Sequence, residues 1–429
     1  MSTRTLKVDL IARVEGEGGL NLTIRDDQLV DLKLNIFEPP RFFEAFLRGR
    51  RLEEVPDITS RICGICPIAY QISSVTALES ALGIQVTPEV RNLRRLIYCG
   101  EWIESHALHL HMLHAPDFLG FEDAIQMAKQ HPQEVERGLR LKKLGNQIMS
   151  VVGGREIHPI NLKVGGFYSL PKRSSLLQLV DDLKTAIDDS EDVARWVATF
   201  PFPEFEPETE FVAILHPDEY PLFEGNLVSS AGLNISVADY EHEFQEVQRE
   251  HSTSLHSRRR TAGVYQVGPI ARFNLNRSKL TPRARALAHE LSLPDKINNP
   301  FKSIVIRAIE TVFAFEESLR IIDQYSPDGE PSTSYEPRAS EGFGCSEAPR
   351  GICWHHYKID DGGLIEHARI VPPTSQNLAR IERDLWEFIP PRLNLSDDKL
   401  RWDCEQAIRN YDPCISCSVH FLKLDIDRQ

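Results

Sequence analysis

Residues 60–71 read SRICGICPIAYQ and residues 412–420 read DPCISCSVH, so a cysteine pair with i, i+3 spacing stands near each end of the chain: Cys63 with Cys66, and Cys414 with Cys417. Two thiols at that spacing can grip one metal centre together, and two such pairs supply four thiolates, enough for a site. About 350 residues separate the pairs, far more than the roughly 15 to 20 between the halves of a compact zinc ribbon. Two readings follow: a four-thiolate zinc staple joining the termini, or a thiolate site for a redox metal. Cys99, Cys345, Cys353 and Cys404 have no partner at such a spacing and read as buried apolar residues.

Around these pairs the composition is that of a folded protein, with 41% hydrophobic and 26% charged residues over 429 positions, room for one large domain or two or three smaller ones. A net charge of −14 argues against a nucleic-acid surface, which needs a clustered excess of Lys and Arg. No stretch approaches the roughly 18 consecutive apolar residues of a membrane-spanning helix. The first residues, MSTRTLKVDLIARVEG, lack the apolar run and cleavage site of a secretory signal. The expectation is a cytoplasmic protein, where cysteines serve as ligands, catalytic groups or buried thiols rather than disulfides.

Residues 5–36 alternate apolar and polar side chains around GEGG and RDDQ turn signals, which predicts an N-terminal antiparallel meander. The period then becomes helical over residues 90–115, preceded by Thr87 and Pro88 as cap and first-turn signals. Residues 174–200 and 299–325 repeat the helical spacing and suit a central bundle of long helices. Residues 200–235 read as an irregular or short-stranded excursion, and 351–372 as a hairpin turning at DDGG. The fold class is therefore α+β, and the expected order is a β region at about 4–36, a helical core at about 85–330, a β and loop region at about 340–375 and the motif at 410–420.

The two cysteine motifs resemble the end motifs of the nickel-iron hydrogenase large subunit, and RVEG, PRFFE, ESHALHLHMLHAPD, EAPRG and VPPTSQN continue the resemblance in family order from residue 13 to 420. The resemblance implies a single domain over residues 1–420 and heterolytic cleavage of dihydrogen at a nickel-iron centre with carbon monoxide and cyanide on the iron. It assigns Cys63 and Cys414 as terminal nickel ligands and Cys66 and Cys417 as bridges to iron; soft thiolates suit both metals. Glu15 would take the proton, Arg350 would overhang the metals, and Asp117 and Asp412 would hold that arginine. Pro373 and Thr374 would line a second cyanide, and Glu44 and His420 would bind magnesium. His106, His109, His111 and His114 would pack near the centre without a metal of their own. Two positions depart from the family pattern: Tyr70 and Glu17 stand where many members carry histidine.

The finer resemblance is to the cytosolic NAD(P)-linked, sulfhydrogenase type. It implies an iron-sulfur small subunit, diaphorase partners with flavin and iron-sulfur clusters, nickel-insertion chaperones, and a maturation endopeptidase that removes residues 421–429. A deazaflavin- or heterodisulfide-reductase-linked relative is the alternative within the family. Outside it stand the zinc staple and a complex I-like coupling subunit, which lacks the metal thiolates. The chain has no Gly-rich dinucleotide fingerprint and no further cysteine cluster, so electrons would leave through a partner.

Overall fold

A computed structural model describes residues 3–39 and 41–419. The N-terminal meander forms as expected: β1 (Thr3–Val8), β2 (Gly18–Arg25) and β3 (Gln28–Ile36) pair antiparallel. Leu20, Leu22, Leu34 and Ile36 alternate toward the core, the period-2 signature of a sheet with one buried face.

Four long helices follow: α1 (Pro67–Leu82), α2 (Pro88–Leu108), α3 (Pro132–Gly153) and α4 (Val180–Ala198). The helical spacing in the sequence predicts α2 and α4 but not α1 and α3. Helices α2 and α3 approach closely because both carry glycine at the crossing: a Cβ on Gly145 would lie 2.6 Å from the Gly100 carbonyl oxygen. The helix predicted over 90–115 does not stay α throughout. After Leu108 it widens into a π turn, His109–His114, and resumes as Ala115–Leu119.

The Pro- and Glu-rich excursion carries the short strands β4 (Val212–Leu215), β5 (Asn226–Ser229) and β6 (Asn234–Ile235). A hairpin of β7 (Phe244–Arg249) and β8 (Ser252–Arg259) then joins the N-terminal sheet, whose order is β1-β2-β3-β8-β7. The long helix α5 (Ser303–Gln324) packs on α2 and α4, and nearly all of it is buried. The predicted hairpin is present as β9 (Ser340–Ala348), β10 (Gly351–Ile359) and β11 (Ile365–Val371), with one strand more than expected. Two last helices, α6 (Pro373–Phe388) and α7 (Asp397–Arg409), lead to the C-terminal motif. One continuous apolar core takes side chains from the meander, the helices and all four motif cysteines.

Candidate metal and proton site

Each cysteine pair sits where a loop turns into a helix. Cys66 is the residue before α1, and Pro67 starts that helix, where its missing N–H costs nothing. The dipole of that terminus favours negative charge in front of it. The Sγ of Cys63 accepts from the backbone N–H of Ile65 and of Cys66 at 3.3 and 3.2 Å. Cys414 likewise precedes a single helical turn, Ile415–Ser418. Three backbone positions tie that turn to the N-terminal RVEG segment. Glu15 and Cys414 form a parallel bridge, Ile415 N donates to Glu15 O at 2.9 Å, and Gly16, at φ +86°, leaves room for Ser416 N, which a Cβ would meet at 2.8 Å.

The fold thus closes a span of about 350 residues. The four sulfurs are buried and all lie within 4.8 Å of one another. Cys63 Sγ is 3.5 Å from Cys414 Sγ, Cys66 Sγ is 3.8 Å from Cys417 Sγ, and Cys414 and Cys417 are 2.7 Å apart. A metal with thiolates at about 2.3 Å separates tetrahedral ligand pairs by about 3.8 Å, so the first two separations suit a shared metal. Hydrogen bonds from the Cys414 and Cys417 thiols draw the Cys63 thiol well below the usual thiol range, while burial pushes Cys414 and Cys417 up. Thiols bind metal as thiolates, so loading displaces protons.

Arg350 stands in the β9–β10 turn and is buried. Its Nε donates to the Asp412 carbonyl at 2.7 Å, and its Nη2 donates to Asp412 Oδ1 at 3.1 Å. Asp412 reaches one guanidinium with both groups from a left-handed backbone, φ +50°. Asp117 does not share this task, which corrects the expectation from sequence. Its carboxylate is engaged by Arg409, at 2.7 Å from each oxygen, and by Arg13 at 2.5 Å. Asp117 therefore fixes the end of α7, three residues before Asp412, rather than Arg350. Arg350 Nη1 is buried with no hydrogen-bond partner among the described residues.

Thr374 lies in the first turn of α6, after Pro373, and its Oγ1 accepts from Cys414 N at 3.1 Å. Its hydroxyl proton remains available to a ligand. Glu15, half-buried, places Oε2 at 3.1 Å from both Cys414 Sγ and Ser416 N, each donating. Glu44 Oε1 accepts from Ile370 N at 2.8 Å and borders a cavity of about 20 Å³ lined also by Arg41, Cys417 and Val419. That is room for one water-sized occupant. His420 and the 421–429 tail lie outside the described residues.

Several supporting residues carry no signal in the sequence. Arg41 donates to Ile62 O at 2.7 Å, to Arg61 O at 3.0 Å and to Ser416 O at 3.4 Å, and so ties the two cysteine loops together. Glu101 caps α1 by accepting from Ile68 N and Ala69 N at 2.6 and 3.1 Å, and burial pushes its carboxyl well above the usual range. Tyr70 is buried with its hydroxyl unpartnered among the described residues, and the ring of His355 lies 5.8 Å from its own. The four histidines around the π turn do not converge: His106 bonds Glu310 at 2.9 Å and His109 bonds the Arg409 carbonyl at 2.8 Å. Cys99, Cys345, Cys353 and Cys404 are buried.

A family profile described as nickel-dependent hydrogenase matches residues 41–139 and 223–420, more than half of the chain. The chain belongs to the nickel-dependent hydrogenase family. It is 35% identical over 423 residues to the alpha chain of sulfhydrogenase 1 from Pyrococcus furiosus, covering 98% of each chain. It is 29% identical over 455 residues to a component of the vhc F420-non-reducing hydrogenase of Methanococcus voltae, covering 97% of this chain and 94% of that one. A crystal structure of an NAD+-reducing [NiFe]-hydrogenase in its H2-reduced state superposes with a TM-score of 0.89 at 26% identity, over 98% of this chain and all of the other. The chain is thus a hydrogenase large subunit, an oxidoreductase acting on dihydrogen, and its buried cysteine group fits a nickel-iron centre. Family membership sets aside the zinc staple, and the four converged cysteines set aside the complex I-like reading. No helix among the described residues is long and apolar enough to cross a membrane.

Proposed function

We propose that the chain is the catalytic subunit of a cytoplasmic NAD(P)-linked hydrogenase, in which Cys63, Cys66, Cys414 and Cys417 would hold the nickel-iron centre, Cys66 and Cys417 being the two that would also serve the iron. When bound, that centre supplies the redox-active Lewis acid at which dihydrogen is cleaved. The chain supplies the surroundings. The free Nη1 of Arg350 and the free hydroxyl proton of Thr374 are two buried donors at the cluster's edge, which suits anionic cyanide ligands on the iron. The N-terminus of α6, opened by Pro373, adds its dipole. Glu44, with His420, would hold magnesium beside Cys417.

Proton handling rests on Glu15. Its Oε2 is within hydrogen-bond reach of Cys414 Sγ, so a proton on that sulfur can pass to the carboxylate over 3.1 Å. Glu17 is exposed and meets Glu38 through its backbone, its N–H donating to the Glu38 carboxylate at 2.9 Å and its carbonyl accepting from Glu38 N at 3.3 Å. Glu38 also accepts from the Ser416 hydroxyl at 3.1 Å and is the next carboxylate outward. We assign the onward path to Ser416 and Glu38, the position where many relatives use histidine being Glu17 here.

The NAD(P) linkage is carried by one observation: full-length likeness to a structure described as NAD+-reducing, alongside higher identity to the sulfhydrogenase chain than to the F420-non-reducing one. A small iron-sulfur partner and flavin-containing diaphorase partners would then take the electrons. The family match runs to residue 420, which supports removal of residues 421–429 by a maturation endopeptidase after chaperones insert nickel. Copurification and hydrogen-driven reduction of NAD+, NADP+ and a deazaflavin by the purified complex test the linkage. Reduction of the deazaflavin alone would overturn it.

A further inference from the structure

Away from the cysteine centre, a second cluster of potential ligands joins the N-terminal sheet to α6. His251 lies in the turn between β7 and β8, His256 on β8, and Glu382 on α6. One ligand atom from each lies within 4.8 Å of the other two. His251 Nε2 and Glu382 Oε1 are 2.8 Å apart, and His256 Nδ1 is 3.6 Å from Glu382 Oε2. His256 is fully buried, and neither of its ring nitrogens has a hydrogen-bond partner among the described residues. A buried imidazole with two unused nitrogens is costly unless something else occupies one of them. The hairpin pairing is also irregular between Ser252 and His256, so the strand departs from regular register where it delivers this side chain.

The geometry points to a divalent transition-metal site of the zinc class, with His251, His256 and Glu382 as its three protein ligands. Bonds of about 2.0 to 2.2 Å place tetrahedral ligand pairs about 3.4 Å apart. The His256–Glu382 separation is already near that, and the 2.8 Å His251–Glu382 hydrogen bond would open slightly as the ion replaces its proton. Two histidines and one carboxylate leave a fourth position open. Burial draws His256 down to about 4, so at neutral pH its imidazole is the unprotonated form that binds metals. The Leu34 N–H donates to Glu382 Oε1 at 3.1 Å and orients the carboxylate from β3, a support of the kind metal ligands use. Arg249 and Arg258 stand close enough to act on His256. An ion there would pin the N-terminal sheet, whose β1–β2 connection carries Glu15, to the helix that carries Thr374.

The test counts metals in the nickel- and iron-loaded enzyme after equilibration with zinc and removal of loosely held ions. The expected result is one zinc per chain in the wild type, lost in His256→Ala and in Glu382→Gln with nickel and iron unchanged, and kept in Glu44→Gln. Cobalt substitution adds a spectroscopic check, since a nitrogen- and oxygen-ligated ion shows visible d–d bands without thiolate charge transfer. Should His256→Ala misfold, His251→Asn, at a less buried position, carries the same expectation. No zinc in the wild type, or zinc unchanged in these variants, overturns the assignment.

Discussion

Replacing Glu15 with glutamine isolates proton acceptance from architecture. The two side chains have nearly the same shape, and in the wild type a single oxygen, Oε2, accepts from both Cys414 Sγ and Ser416 N at 3.1 Å. If the glutamine oxygen takes that place, it keeps the Ser416 bond but cannot hold a proton. If the amide nitrogen takes it, the Ser416 bond is lost at a cost of about 1 kcal/mol, and the NH2 can only donate to sulfur. Backbone contacts between Glu15 and the C-terminal motif, including Ile415 N to Glu15 O, survive in both cases. Stability and metal content should therefore hold to within about 1 kcal/mol and full occupancy, whereas loss of a positioned base costs roughly 10² to 10⁴ in rate. That range corresponds to about 3 to 5 kcal/mol of barrier, well above the structural cost. The assay is hydrogen–deuterium exchange by the loaded enzyme, with nickel and iron measured on the same sample. Exchange within about threefold of wild type at full metal loading, against an expected loss of at least about 100-fold, would refute Glu15 as the acceptor.

Cys417→Ser should lower nickel and iron together, by at least the roughly 10- to 100-fold in affinity that disturbing even the groups behind a ligand produces; elemental analysis reads it, and full loading would remove Cys417 from the ligand set. Asp117→Asn removes one of the two carboxylates on buried Arg409, Glu405 remaining at 3.2 Å, and should cost about 1.5 to 3 kcal/mol in chemical denaturation; a change below about 0.5 kcal/mol would show that Glu405 alone suffices. Burial holds His106 and His111 down to about 4, so each is neutral in the fold and gains a proton on unfolding between pH 6.5 and 4. The unfolded state binds more protons in that window, so stability is full above 6.5 and falls as pH drops toward 4, by roughly 3 kcal/mol per group. His111→Leu should remove about one proton from the slope of stability against pH, and an unchanged slope would mean that His111 is charged in the fold.

The cysteines and Glu15 are legible because their chemistry is carried by residue type and short spacing, which survive in any linear reading. The supporting residues are not. Arg41 and Glu101 act by binding backbone groups 20 to 33 positions away, or 375 in the case of Arg41 and Ser416, and nothing local distinguishes them from surface charges. Asp117 shows the limit most clearly: its motif places it near the centre, yet which of two buried arginines it binds depends on where α7 ends. The π turn at His109–His114 is also hidden, since the apolar period across it still counts as helical while one extra residue per turn shifts the ring positions. Helix α1 escapes detection for a different reason. Buried nearly all round, it has no polar face to reveal a period.

The same facts explain why the site tolerates such a long connection between its halves. Four of the proposed site's side chains leave the chain at an element boundary: Cys66 before α1, Arg350 between β9 and β10, Thr374 in the first turn of α6, and Asp412 after α7. Boundaries hold unpaired backbone N–H groups, and burying them needs acceptors. At α1 the acceptor is the buried Glu101 carboxylate, and at the C-terminal turn it is Glu15, through Ser416 N. Glu15 is therefore bound by architecture as well as chemistry, since its oxygen satisfies a backbone donor in the same turn that carries the sulfur it faces. That dual bond fixes the distance from carboxylate to Cys414 more tightly than a free side chain could. A carboxylate so held loses little entropy when it accepts a proton, which is what the proposed relay through Glu15 would require.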